Sequence, residues 1–75
     1  MEPFDQIDSA IIAADAAGDP RALSVLYGKA ALALEQKGDI ESACFFYTHA
    51  FVFALEAGSE AAKTYRAALL RHGRI

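Results

Sequence analysis

Residues 35–60 read EQKGDIESACFFYTHAFVFALEAGSE, and five aromatic rings crowd between positions 45 and 53 of this stretch. It also holds one cysteine, Cys44, and one histidine, His49, with no metal-ligand or catalytic spacing. Two glycines, Gly38 and Gly58, punctuate it, and each is followed by a capping residue, Asp39 or Ser59. Glycine ends a helix by taking the left-handed conformation. Asp or Ser then accepts hydrogen bonds from the free N–H groups of the next helix. Gly18–Asp19 repeats the arrangement twenty residues earlier, and Pro20 follows where a first helical residue needs no N–H donor.

These equally spaced stops divide the chain into four helices near 3–17, 20–37, 40–57 and 60–72. Connections this short turn consecutive helices antiparallel. No stretch alternates with period two and no Val/Ile/Thr-rich run invites a strand. The expected fold is all-α, one helical domain over residues 1–75.

Apolar positions follow the i, i+3, i+4, i+7 rule of amphipathic helices. The first helix carries Phe4, Ile7, Ile11 and Ala14; the second, Leu23, Leu26, Tyr27, Ala30, Ala31 and Leu34; the fourth, Ala61, Tyr65, Ala68, Leu69 and His72. The third is apolar nearly all round. Ile40, Ala43, Tyr47, Ala50 and Ala54 form one stripe, with Cys44, Phe51 and Leu55 beside it and Phe46 and Phe53 on a second face. Such a helix is expected at the centre of the domain, buried on several sides. Its most polar stripe is Glu41, Phe45, Thr48, His49, Val52 and Glu56.

Helices two and three together resemble a tetratricopeptide repeat, a 34-residue helix-turn-helix unit, over roughly residues 24–57. Tyr27 stands at the first aromatic position and Ala30–Ala31 at the leucine–glycine pair. Leu34 takes the next tyrosine position, GDIESA the inter-helix turn, and Ala43, Tyr47 and Ala50 the small–aromatic–small series. Leu55 replaces the proline that usually closes the unit, and the flanking helices do not repeat the signature. The resemblance implies a protein-binding scaffold with two extra helices; an up-down four-helix bundle with similar crossing residues is the alternative. Either way, Ala31 against Ala43 supplies the small contact that lets two helices approach.

The whole chain bounds what it does. Seventy-five residues with 55% hydrophobic and 23% charged content describe a folded domain, yet one this small buries only about 60% of its unfolded surface. A lone cysteine forms no internal disulfide, which points to a reducing compartment and leaves association as the remaining support. The opening MEPFDQIDSA has no basic, then apolar, leader pattern, and no run reaches the ~20 apolar residues of a membrane span. A cytoplasmic protein with no membrane partner is expected. Charge is uneven: residues 1–20 hold five acidic and no basic residues, whereas 60–75 hold Lys63, Arg66, Arg71 and Arg74 against Glu60. Helix-dipole complementarity accounts for this; attraction between the first and last elements, within one chain or between two, is the sharper reading.

Catalytic patterns are absent from this reading. Cys44 and His49 are separated by about 140° of helical arc, so they form no nucleophile–base pair. Glu41 and Glu56 lie over ~20 Å apart along the helix, too far for paired carboxylates. No glycine-rich phosphate loop occurs. No catalytic residue, cofactor or metal site is assigned, and a pairing of His49 with His72 across helices is a weak ligand set. Lys63, Arg66 and Arg74 on one helical face beside Tyr65 raise nucleic acid, but the acidic balance of the chain, net −3, argues against it. The expected role is protein–protein interaction, including a possible homodimer. Phe45, His49 and Val52 are the candidate contact residues, with Arg66 and Arg71 secondary; the alternative is that the first or fourth helix covers Phe45 and Val52 and completes one core. The competing reading is a small-ligand carrier in which Phe46, Tyr47, Phe51 and Phe53 line a pocket between helices.

Overall fold

A computed structural model describes the backbone of residues 3–75 and the side chains from Gln6 onward. Phe4, expected on the first apolar stripe, falls outside the described side chains. Four α-helices follow one another: α1 (Pro3–Ala17), α2 (Pro20–Gln36), α3 (Ile40–Ala57) and α4 (Ala61–Arg71). The fold is all-α, with no strand among the described residues.

The helix stops are built as the glycines require. Gly18, Gly38 and Gly58 have φ of 65°, 86° and 65°. In each case the following N–H closes on a carbonyl five residues back: Asp19 on Ala14 at 3.1 Å, Asp39 on Leu34 at 3.0 Å, Ser59 on Ala54 at 2.8 Å. The same residues start the next helix. Asp19 accepts from the Ala22 N–H, Asp39 from Ser42 and Ser59 from Ala61. A fourth stop, at Gly73, closes α4 through Arg74 N–H to Leu69 at 2.9 Å. Arg74 is therefore not on the helical face of Lys63 and Arg66, because α4 ends at Arg71.

The helices lie in a staggered, open row, each packed chiefly on its neighbours in sequence. α1 packs on α2, α2 on α3 and α3 on α4, while α1 and α4 make no substantial contact. The Cα trace spans 33 × 32 × 14 Å. Helices of 11–18 residues measure roughly 17–27 Å. With axes 8–10 Å apart, four side by side fill the second long dimension and a two-by-two cluster does not. α3 is covered by α2 and α4 and bare on its third side, and the row corrects one expectation. Leu55, expected beside the core stripe, is 58% exposed.

The seam between α2 and α3 is made of alanine. Ala30, Ala31, Ala43, Ala50 and Ala54 are each at most 1% exposed. Around it Ala31, Ala43, Cys44, Tyr47, Ala68 and Leu69 form one core cluster, with Leu34, Ile40, Phe46, Phe51 and Tyr65 packed against it. Cys44 is a buried free thiol there. α4 also reaches α2 through Tyr65, whose ring lies over Gly28; a Cβ on Gly28 would meet Tyr65 Cε1 at 2.7 Å. Glycine inside a helix costs about 1 kcal/mol relative to alanine, and here that cost makes room for the ring.

Two substitutions test this packing by denaturant unfolding. Gly28→Ala is expected to lose up to about 2 kcal/mol, since overpacking of ~1–3 kcal/mol exceeds the helix-propensity gain of ~1 kcal/mol. In a Tyr65→Ala background the sign reverses and the same change stabilises by about 1 kcal/mol; a loss in both backgrounds would show that Tyr65 is not the obstacle. Ser24, 1% exposed, has a buried hydroxyl without a hydrogen-bond partner. Ser24→Ala is expected to raise stability by about 1 kcal/mol, and a loss would reveal an unrecognised partner.

Candidate functional site

The polar stripe of α3 is the side that the row leaves bare. Glu41, Phe45, Thr48, Val52 and Glu56 are all exposed along it. Phe45 and Val52 are 59% and 48% exposed, and Leu55 extends the apolar strip. Seven residues separate Phe45 from Val52, two helical turns, so both project from one face. His49, between them, is half-buried. Its ring lies 4.6 Å from that of Phe45 and 5.2 Å from that of Tyr27 on α2. Thr48 turns its hydroxyl inward, donating to the Cys44 carbonyl at 2.8 Å.

Behind the strip the rings pack on one another. Tyr27 stacks on Phe46 at 5.8 Å and on Phe53 at 5.7 Å, and Phe45 meets Phe46 edge-on at 5.5 Å. Such contacts stiffen a surface at little entropic cost. A shallow depression of about 300 Å³ opens among Thr48, His49, Val52 and Phe53. Phe45 walls two more, one shared with Asp39, Glu41, Ser42 and Phe46, the other with Glu41, Cys44, Thr48 and Arg74. All three are open surface hollows. Of the four rings expected around a ligand pocket, Phe46 and Phe53 stack on Tyr27. Tyr47 instead faces Tyr65 on α4, ring centres 6.2 Å apart.

The remaining candidate residues lie elsewhere. Arg66 is exposed on α4, and Arg71 belongs to a polar cluster that joins α4 to α2. There Glu35 Oε2 accepts from Arg71 Nη2 at 2.9 Å and meets His72 Nε2 at 2.5 Å, while Glu35 Oε1 accepts from the Tyr47 hydroxyl at 2.8 Å. His72 thus pairs with a carboxylate on α2, not with His49. Hydrogen bonds from His72 and Arg71 hold the Glu35 carboxyl down at about 2. Burial, then the bond to Glu35, pushes the Tyr47 phenol up to about 12. Sequence reading missed this cluster because Glu35 stands 36 and 37 positions from its partners. A usable signal was the half-apolar setting of Glu35 at the end of KAALALE, on the side of the helix carrying Leu34 and Ala31.

No group of three or more His, Cys, Asp or Glu among the described residues is arranged to hold a metal ion, and no described helix is long and apolar enough to cross a membrane. No family model, curated protein or solved structure matches the chain. The site is therefore read from its own geometry.

The Glu35 cluster sets an acid and an alkaline limit. Because the folded carboxyl titrates at about 2 instead of 4.5, its contribution is complete above about pH 4.5 and disappears as pH falls through 2. Tyr47 acts in the opposite sense: its folded phenol at about 12, against 10.0 unfolded, withdraws stability as pH rises from 10 through 12. Thermal melts of Glu35→Gln are expected to lose about 1–3 kcal/mol at neutral pH and to flatten the acid limb. An acid limb identical to wild type would remove Glu35 as its cause.

Proposed function

We propose that the chain is a non-catalytic protein-interaction module, a tetratricopeptide-like adaptor whose docking face is the bare side of α3. The observation that supports this is the exposure of Phe45 and Val52, 59% and 48%, on a helix whose other sides are packed. A contact patch with an apolar centre and a charged rim is the usual anatomy of a protein interface, and here Phe45, Val52 and Leu55 are the centre and Glu41 and Glu56 the rim. Phe45 and His49 are the anchors, because the rings behind them limit the freedom lost on binding. A second copy is the partner the chain itself supplies, which makes a homodimer the form to test first. Buried alanines at 31, 43 and 50 with Tyr47 favour the tetratricopeptide-like reading of α2 and α3. A single buried thiol fits a reducing, cytoplasmic setting.

Light scattering across a concentration series, at about 1 M salt so that surface charges are screened, tests the docking face. Wild type is expected as a dimer, and Phe45→Glu with Val52→Glu as a monomer whose helical content is unchanged and whose stability moves by no more than ~0.5 kcal/mol. Unfolding of the double variant would make both residues core and overturn the reading. A wild-type monomer at every concentration would exclude a second copy as the occupant.

A further inference from the structure

A row of helices that does not close has two edges, and the edges of this one carry opposite charge. α1 packs on α2 through Ile7, Ala10, Ile11 and Ala14 and leaves Asp8, Ile12 and Asp15 exposed together on another side. Ile12 is 70% exposed, the most of any large apolar side chain described. At the other end α4 packs through Ala62, Ala68 and Leu69 and leaves Lys63, Arg66 and Leu70 exposed. Leu70 is 46% exposed. Each edge thus presents one aliphatic side chain beside charges, acidic on α1 and mainly basic on α4, where Glu60 is the one acidic neighbour. Asp8, Asp15 and Arg66 have no ion-pair partner among the described residues, whereas Lys63 is shared with Glu60 of its own helix at 3.1 Å. α1 and α4 lie at opposite ends of the row and make no substantial contact, so these edges do not neutralise each other within one chain.

We propose that copies of this chain associate head to tail, the α1 edge of one against the α4 edge of the next. The direction of the helices permits it. Successive helices alternate, so the α1 of a second copy following α4 continues the antiparallel order. With Ile12 of one copy against Leu70 of the other, Asp15 then lies toward Arg66. Both charges sit about one helical turn from the aliphatic residue: Asp15 three residues from Ile12, Arg66 four from Leu70. The two surfaces differ, so the contact is heterologous. Repeating it yields a growing row, or a ring where the rotation closes, but no two-fold dimer. It uses neither Phe45 nor Val52 and stands whether or not the α3 face binds a partner.

The test is the mass of the intact 75-residue chain over a concentration series at about 0.01 M and about 1 M salt, where the Debye length falls from ~30 to ~3 Å. Two charge-reversed chains accompany wild type: Asp8→Lys with Asp15→Lys, and Lys63→Glu with Arg66→Glu. At low salt the wild-type average mass is expected to climb past twice 8.0 kDa, and to fall back at high salt. Each reversed chain alone, with helical content retained, associates roughly tenfold more weakly or not at all. An equal mixture of the two restores growth, because every junction again joins opposite charges. Wild-type mass that does not grow at low salt, reversed chains that grow like wild type, or a mixture that stays small would each overturn the proposal. Running the series in Phe45→Glu with Val52→Glu separates the surfaces: growth is expected to persist there, and its loss would assign association to α3 instead.

Discussion

The alanine seam between α2 and α3 is the contact on which the rest of the structure depends. Two helices whose facing residues are alanine approach closely and leave no room for a ring between them. The aromatics of α3 are thereby displaced to its flanks. Tyr47 turns toward α4 and Tyr65, Phe46 and Phe53 toward Tyr27 on α2, and Phe45 to the bare side. A dense run of aromatics in a chain of 75 residues is thus the consequence of a thin fold. Rings that in a thicker domain would share one core here cover separate sides of one helix.

Thinness also explains how α4 is held. It packs on α3 through small residues and Leu69, and its two further attachments both go to α2. One is steric, the Tyr65 ring over Gly28. The other is polar, Arg71 and His72 on Glu35, with Tyr47 donating to the same carboxylate. An isolated surface ion pair contributes little, and Arg71 is more than half exposed. Glu35 differs because three donors from two helices converge on it while it is mostly shielded, 17% exposed. Removing the carboxylate strands the Tyr47 hydroxyl at a partly buried site, a larger loss than that of one surface pair. The close of the last helix thus rests on a residue of the second.

How much of this was legible depends on the range of the signal. Gly18, Gly38 and Gly58 act within five residues of themselves, so the helices and their limits could be read directly. The alanine stripes act between neighbours in sequence, so the α2–α3 seam was also legible. What periodicity does not contain is the arrangement of four helices relative to one another, because an amphipathic stripe records burial and not the identity of the neighbour. Leu55 illustrates this: it adjoins the core stripe on the helical wheel, yet no helix of the row covers it. The stripe holding Phe45, His49 and Val52 could be recognised as the least apolar side of α3, but only the row decides that it stays bare. The roles of Gly28 and Glu35 were hidden for a related reason, since each is completed by a residue more than thirty positions away, and the setting of Glu35 marks the residue but not its partners.

Bareness has different chemistry on different parts of the row. The outer side of α3 joins apolar groups to two rim carboxylates of like sign, Glu41 and Glu56, and favours a contact made chiefly by burial. The edges join one aliphatic residue to several charges and favour contacts that are selective in partner but weak in salt. An antiparallel pairing of two α3 faces about Thr48–His49 sets Phe45 of one chain over Val52 of the other and brings Glu41 near Glu56, a like-charge approach. Arg74, which lies beside Glu41 and Phe45 and has no ion-pair partner among the described residues, stands where it offsets that repulsion. The fourth glycine stop places it there. By ending α4 at Arg71 and turning the chain at Gly73, it takes one cation from the edge and moves it to the rim of the α3 face. The C-terminal turn is therefore the element that divides positive charge between the two surfaces. Its glycine, the only positive-φ residue in the last helix and tail, sets that distribution of charge as well as the end of the helix it closes.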